Sequence, residues 1–191
     1  MNWYEKLNQY FPIEEMKSKE HMETLLEEKG DIYHKDEGRN HVLMYVEDDR
    51  FVFVDYLFVS GNSRGQGLGR KLLDKLKQKG KPILLEVEPA TEQDVDTEKR
   101  LRFYKREGFR HASSISYRRR SLATNEINEM EILFWANDHA EDEQIYECMK
   151  KTYEQIHIYK DETLYGKKYQ LVEEVLKLND CEEKRDILKV V

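Results

Sequence analysis

The feature that most constrains this chain is the stretch from Phe51 to Gly80, FVFVDYLFVSGNSRGQGLGRKLLDKLKQKG. It begins with a nearly unbroken apolar run, Phe51 to Val59, in which Asp55 is the only charge. Such a run is typical of a strand that is buried on both faces. A turn sequence and a glycine-rich segment follow, and leucines then recur at helical spacing up to Gly80. The stretch therefore predicts a strand, a glycine-rich loop and a helix.

The glycine-rich loop indicates a site for an anion. Backbone N–H groups at the start of a helix converge on negative charge, and the helix dipole adds favourable potential. Two familiar phosphate loops do not fit. Counting from Gly61 or Gly65 does not reach Gly-Lys-Ser/Thr, and a G-x-G-x-x-G count from Gly65 places Arg70 where the third glycine belongs. The pattern present is Arg-x-x-Gly-x-Gly, at residues 64, 67 and 69.

A second motif lies at residues 100–109, where RLRFYKREGF contains Arg-x-x-Phe-Tyr-x-x-x-Gly-Phe. The motif falls in a predicted helix within residues 97–107, which Gly108 terminates. A predicted strand, Pro82 to Glu88, precedes this motif. Together with the buried strand before the glycine-rich loop and the helix after that loop, it forms a predicted βαβ unit with parallel strands. The two motifs, in this order, resemble the GNAT superfamily of N-acetyltransferases. With a closing strand in EMEILFWA, the resemblance covers about residues 32 to 136.

The resemblance implies an α/β (α+β) fold in which helices flank a mixed central sheet. We expect residues 1–136 to form the GNAT domain and residues 137–191 to form a helical C-terminal extension that packs on the core. Within the extension, helices are predicted over Asp138 to Ile158 and from Tyr169 to Leu178. The extension is also a candidate dimer interface or a wall of the acceptor site.

The resemblance also implies where acetyl-coenzyme A (acetyl-CoA), the co-substrate, would bind. In that family the two strands of the βαβ unit diverge, and the pantetheine arm lies between them against exposed backbone groups of the first strand. Here those groups belong to Leu57, Phe58 and Val59. The pyrophosphate would bind the N–H groups of Gly65, Gln66, Gly67, Leu68, Gly69 and Arg70, with Arg64 near the mouth of the loop.

The implied reaction is direct transfer of the acetyl group to a primary amine, without an acyl-enzyme. Tyr104 matches the family tyrosine that protonates the departing thiolate, and a phenol with a pKa near 10 suits that step. Glu86 and Glu88 project from one face of their strand and are the candidate bases. Asp55 is a third candidate base, with a structural carboxylate as the simpler interpretation. The backbone N–H of Val59 is a candidate donor to the thioester oxygen.

The leading functional prediction is therefore an acyl-CoA-dependent N-acetyltransferase. The alternative is a catalytically silent acyl-CoA-binding or adaptor protein whose C-terminal extension contacts a partner. The acceptor stays open among protein N-termini, lysine side chains, polyamines, amino acids and aminoglycosides. A small-molecule or protein amine is the expected partner, and a homodimer is a further option.

Composition and charge exclude other classes. The net charge of −7 argues against a general nucleic-acid binder, and no run approaches the roughly 20 apolar residues that a membrane helix needs. No signal peptide is visible, so a cytoplasmic location is expected. Cys148 and Cys181 belong to no Cys-x-x-Cys pair, and the six histidines show no ligand spacing, so no metal is predicted. The three arginines at 118–120 are interpreted as a solvated strand edge.

Overall fold

One eight-stranded mixed sheet organises the computed structural model, which describes residues 1–89, 95–179, 185–189 and 191. The strands are β1 (Tyr33–Gly38), β2 (His41–Glu47), β3 (Val52–Val59), β4 (Ile83–Val87), β5 (Arg110–His111), β6 (Ile115–Arg120), β7 (Ile127–Trp135) and β8 (Leu176–Leu178). Their order is β1-β2-β3-β4-β7-β6-β8, and β5 pairs with β7. The β3–β4 pair is parallel, whereas the other pairs are antiparallel. The predicted mixed sheet is confirmed.

Helices cover both faces of this sheet. They are α1 (Trp3–Asn8), α2 (Lys19–Glu28), α3 (Leu68–Lys77), α4 (Val95–Arg106), α5 (Asp142–Thr152), α6 (Asp161–Tyr165) and α7 (Val172–Val175). The buried side chains of α1, α2 and α5 join one hydrophobic cluster, and those of α3 and α4 join a second one. The sheet therefore separates two apolar layers. Within the described part of the chain, no helix is both long and apolar enough to cross a bilayer.

The strands β3 and β4 pair over only part of their length. Val52 to Val54 lie opposite Ile83 to Leu85, and β3 then continues to Val59 without a partner on that side. A β-bulge accompanies the separation, because Met44 pairs with Tyr56 while Tyr45 pairs with Val54, which leaves Asp55 as the extra residue. Bulges bend a strand and increase its twist. The result is the divergence of β3 from β4 that the sequence predicted.

The glycine-rich loop connects β3 to α3 through backbone conformations that favour glycine. Gly65 and Gly67 have φ angles of +78° and +77°, in the left-handed region. Gly69 is constrained by space instead, because an added Cβ would lie 3.1 Å from Cζ of Phe103 on α4. The loop thus turns sharply into α3, and α3 packs closely against α4.

The C-terminal extension belongs to the same core, but it is less helical than predicted. α5 begins at Asp142 and continues into a π-helical turn, Tyr153–His157, and both contribute to the first hydrophobic cluster. The helix predicted from Tyr169 to Leu178 is wrong at both ends. Only Val172–Val175 is helical, and β8 follows it and pairs with β6. Pairing with the free edge of β6 satisfies backbone groups that a longer helix would have left exposed.

Candidate active site

A cleft of about 630 Å³ opens where β3 and β4 diverge, and α4 and residues 10–17 complete its walls. Most of the residues predicted to bind the cofactor line it: Leu57, Val59, Arg64, Gly65, Gly67, Leu68, Gly69 and Arg70. Phe58 and Gln66 lie outside this lining. The ring of Phe58 packs against Tyr10 at 5.6 Å, and Gln66 Nε2 donates to the carbonyl of Asn62 at 2.9 Å.

The part of β3 that pairs with no strand on the side of β4, among the described residues, has backbone groups that face the gap, and one of them, the Val59 carbonyl, accepts a hydrogen bond from Arg64 Nε at 3.4 Å. The N–H of Ser60 donates to the carbonyl of Asn40, next to β2, so the ladder groups of Ser60 point toward that strand. Because ladder groups alternate sides along a strand, those of Leu57 and Val59 point the opposite way, into the gap that β4 leaves. An extended ligand lying there would find backbone partners like those of a neighbouring strand.

The glycine-rich end of the cleft is suited to phosphate groups. α3 starts after Gly67, and its first intrahelical bond runs from the N–H of Lys71 to the carbonyl of Gly67 at 3.0 Å. The N–H groups of the helix's first turn are therefore available to an anion. Several cationic side chains also line the cleft, among them Arg64, Arg70, Lys99, Arg102 and Arg106.

Tyr104 lies on α4 at the wall of the cleft and is 7% exposed. Its ring contacts Phe103 and Phe109, with centroid distances of 5.3 Å in both cases. Burial raises the pKa of the phenol well above its ordinary value, against the opposing effect of the Arg100 charge. The hydroxyl group is therefore a protonated donor throughout the neutral pH range.

Glu86, one of the two predicted bases, is held by three partners inside the cleft. It accepts hydrogen bonds from His157 Nε2 at 2.6 Å and from the Tyr117 hydroxyl at 3.0 Å, and Arg119 Nη2 lies 3.5 Å away. Burial raises the pKa of Glu86, but His157 and the Arg119 charge outweigh it and hold the pKa well below its usual range. This carboxylate keeps its charge and is a weak base.

Glu88, the second predicted base, lies beside Glu15, a residue that no sequence motif identified. Glu15 lines the cleft, Glu88 lies outside its lining, and the Glu88 charge acts on the Glu15 carboxyl group. Burial and the neighbouring Glu88 charge raise the pKa of Glu15 to about 8, although Arg100 opposes the shift from a distance of 4.0 Å. The Glu15 carboxyl group therefore exchanges a proton near neutral pH, as a general base requires.

Hydrogen bonds fix the segment that carries Glu15 against the sheet. The Tyr56 hydroxyl donates to the Glu15 carbonyl at 2.9 Å and accepts from the N–H of Lys17 at 3.0 Å. The Lys17 ammonium reaches Asp55 Oδ1 at 2.6 Å, and the Tyr33 hydroxyl donates to Asp55 Oδ2 at 2.7 Å. Asp55 is thus occupied by two structural partners, and the bulge on β3 orients the segment that holds Glu15.

Three of the residues that build the inner part of the cleft escaped the sequence analysis. Glu15 and Lys17 precede the glycine-rich loop by nearly fifty residues, and His157 follows it by about ninety. Arg119 was included in the predicted solvated edge, although it is 6% exposed. For Arg119, strand periodicity was the available signal. This residue is the middle one of three consecutive strand residues, so its side chain points to the face of the sheet opposite to that of Arg118 and Arg120. Across the residues that the structure describes, no group of three or more His, Cys, Asp or Glu side chains is arranged to hold a metal ion.

The diverging strands, the glycine-rich loop and the buried tyrosine define a GNAT-type acetyltransferase, and the comparisons agree. The model of the acetyltransferase (GNAT) domain matches residues 25–111. The chain is 65% identical to the Bacillus subtilis (strain 168) protein named "Putative acetyltransferase YjbC", over 98% of this chain and 97% of that one. The chain belongs to the GNAT acetyltransferase family, whose co-substrate is acetyl-CoA.

Solved structures show the same similarity. A Bacteroides thetaiotaomicron structure named "Putative acetyltransferase from GNAT family" is 25% identical and covers 86% of this chain and 90% of its own, with a TM-score of 0.61. A GNAT family acetyltransferase from Elizabethkingia anophelis, solved with acetyl-CoA bound, is 17% identical over 71% of this chain and 91% of its own, with a TM-score of 0.48. The resemblance predicted from the two sequence motifs is confirmed.

Proposed function

We propose that this protein transfers the acetyl group of acetyl-CoA directly to a primary amine in the cleft between β3 and β4. The observation that carries the proposal is the continuity of this cleft. It runs from the first turn of α3, past the backbone groups of Leu57 and Val59 that face the gap, to Tyr104. A ligand with phosphates at one end and an extended arm at the other matches that sequence of groups.

The chemistry divides among groups on different elements. Tyr104 donates its proton to the thiolate that leaves, since burial keeps the phenol protonated until that step. Glu88, with Glu15 beside it, removes the proton from the amine. Glu86 stays charged and holds His157 and Arg119 in place. A backbone N–H of β3 that faces the gap, Leu57 or Val59, stabilises the negative charge that develops on the thioester oxygen.

Tyr104→Phe tests the proposal. Calorimetry measures acetyl-CoA binding, and the release of free thiol with a panel of amines measures turnover. We expect binding to be unchanged, since the ring and its contacts remain, and kcat to fall by roughly 10²- to 10⁴-fold, the usual contribution of a general acid. Tyr159→Phe is the matched control, because that hydroxyl contacts Glu28 on the exposed surface. If Tyr104→Phe keeps full turnover, Tyr104 is not the general acid. If titration of the native protein with acetyl-CoA releases no heat of binding, the proposed function is excluded.

A further inference from the structure

Four polar atoms in the inner part of the cleft have no hydrogen-bond partner among the described residues: Glu15 Oε1, Arg100 Nε, Arg119 Nε and His157 Nδ1. The side chains of Glu15, Arg119 and His157 are only 9%, 7% and 4% exposed. Buried polar atoms in native proteins are nearly always hydrogen-bonded. The four atoms therefore mark a place for a polar ligand within the cleft.

The chemical types of these atoms restrict the ligand. The two arginine N–H groups are positively charged donors and cannot accept. His157 donates through Nε2 to Glu86, and burial lowers the pKa of its ring, so Nδ1 is an unprotonated acceptor. Glu15 Oε1 belongs to a carboxyl group whose pKa burial raises to about 8. A ligand that satisfies all four atoms presents an anionic group to the arginines and N–H donors to Glu15 and His157.

Neighbouring charges support an anionic group on the ligand. Lys17 is neutralised by Asp55, and Glu86 is already engaged by Arg119 Nη2 and His157. Arg100 Nη1 lies 4.0 Å from Glu15 Oε2, the charge of Arg119 also lowers the pKa of Glu15, and both arginines line the cleft. A polyamine would bring only further positive charge to these arginines and would leave both Nε–H groups without an acceptor.

We propose that the acceptor is a free amino acid, with its carboxylate bound by Arg100 and Arg119 and its amine directed to Glu15. This inference rests on the proposed acetyltransferase function. The ammonium group gives one proton to the Glu15–Glu88 pair, which passes it to solvent, and the amine nitrogen then attacks the thioester carbon. The C–S bond breaks, the nitrogen loses its second proton to the pair, and Tyr104 protonates the sulfur and is reprotonated from the pair. The products are the N-acetyl amino acid, coenzyme A and one proton.

The test compares amino acids with their own carboxamides. At saturating acetyl-CoA, thiol release is measured for the standard amino acids, for the matched amides and for polyamines. Loss of charge-assisted hydrogen bonds to the arginines should lower kcat/KM for an amide by roughly 10- to 100-fold relative to its acid. Equal rates for acids and amides, or activity with polyamines or peptides alone, would overturn the inference while leaving the acetyltransferase function in place.

Two arginine variants make the test specific. The preference is the ratio of kcat/KM for an amino acid to kcat/KM for its amide. In Arg100→Gln and Arg119→Gln this ratio should fall toward one, whereas a merely structural defect would lower both rates and leave the ratio unchanged. Arg118→Gln is the matched control, because Arg118 is exposed, pairs with Glu129 at 2.8 Å and lies outside the cleft lining. Calorimetry with acetyl-CoA verifies that each variant is folded. If Arg119→Gln does not fold because it loses the pair with Glu86, the test depends on Arg100→Gln alone. An unchanged preference in the folded variants would refute the proposed carboxylate site.

Discussion

The buried ion pair beneath Glu15 yields a quantitative prediction. Lys17 Nζ lies 2.6 Å from Asp55 Oδ1, and both side chains are 3% exposed. Lys17→Met would leave the Asp55 carboxylate buried with only the Tyr33 hydroxyl as a partner. Removing one member of such a pair costs about 3–5 kcal/mol of the free energy of unfolding. For a chain of 191 residues, each kcal/mol of lost stability lowers Tm by about 2–4 °C. The Tm of Lys17→Met should therefore be lower by roughly 6–20 °C.

Urea denaturation at pH 7 measures this loss, and a thermal scan checks its size. Lys19→Met is the matched control, since Lys19 pairs with Glu23 at 3.4 Å with side chains 49% and 54% exposed. An exposed pair of this kind contributes at most about 0.5 kcal/mol. The double variant Lys17→Met/Asp55→Asn should recover part of the stability, because the stranded charge is gone. If Lys17→Met costs less than about 1 kcal/mol, the buried charge pair does not stabilise this part of the fold as reasoned.

Two further predictions concern the loop and the carboxyl pair. Gly67→Ala and Gly80→Ala place a side chain at φ angles of +77° and +70°, each in open space, so both should cost about 1–2 kcal/mol of stability. Only Gly67→Ala should weaken acetyl-CoA binding in calorimetry, and equal weakening by both variants would contradict the anion site. Burial and Glu88 raise the pKa of Glu15 from 4.5 to about 8, so its folded form binds more protons and its contribution to stability is lost as pH rises through that window. Urea denaturation at pH 5 and pH 8 measures the free energy of unfolding. That of Glu15→Gln should rise relative to that of the native chain by up to about 1.4 kcal/mol per pH unit as the pH increases. A difference that stays constant with pH would argue against the shifted pKa.

The sequence allowed the cofactor half of the site to be predicted because local chemistry determines it. Positive φ angles at Gly65 and Gly67 require glycine, and the close approach of Phe103 requires it at Gly69. These requirements fix the spacing of the glycines in the loop, so the motif can be recognised within one short segment of the sequence. Tyr104 was selected in the same way, through its fixed spacing from Gly108 within one helix and its turn, and its catalytic role stays a prediction.

The acceptor half could not be predicted in this way, because residues far apart in the chain form it. Glu15, Arg119 and His157 come from an N-terminal turn, a strand and a π-helical turn, and each looks like an ordinary surface residue in its own segment. Only tertiary packing buries them, and burial shifts the pKa of Glu15 upward and that of His157 downward. β8 was misassigned for a related reason, since a short Leu-Lys-Leu segment becomes a strand when an open sheet edge is available.

His157 belongs to the C-terminal extension, yet its ring donates to Glu86 at the centre of the cleft. β8, also in the extension, pairs with residues 115–117 of β6, the strand that carries Arg119. The extension is therefore a structural component of the cleft in which we propose that the acceptor binds. Homologues whose chains differ after β7 would be expected to differ in substrate choice even where their glycine-rich loops are identical.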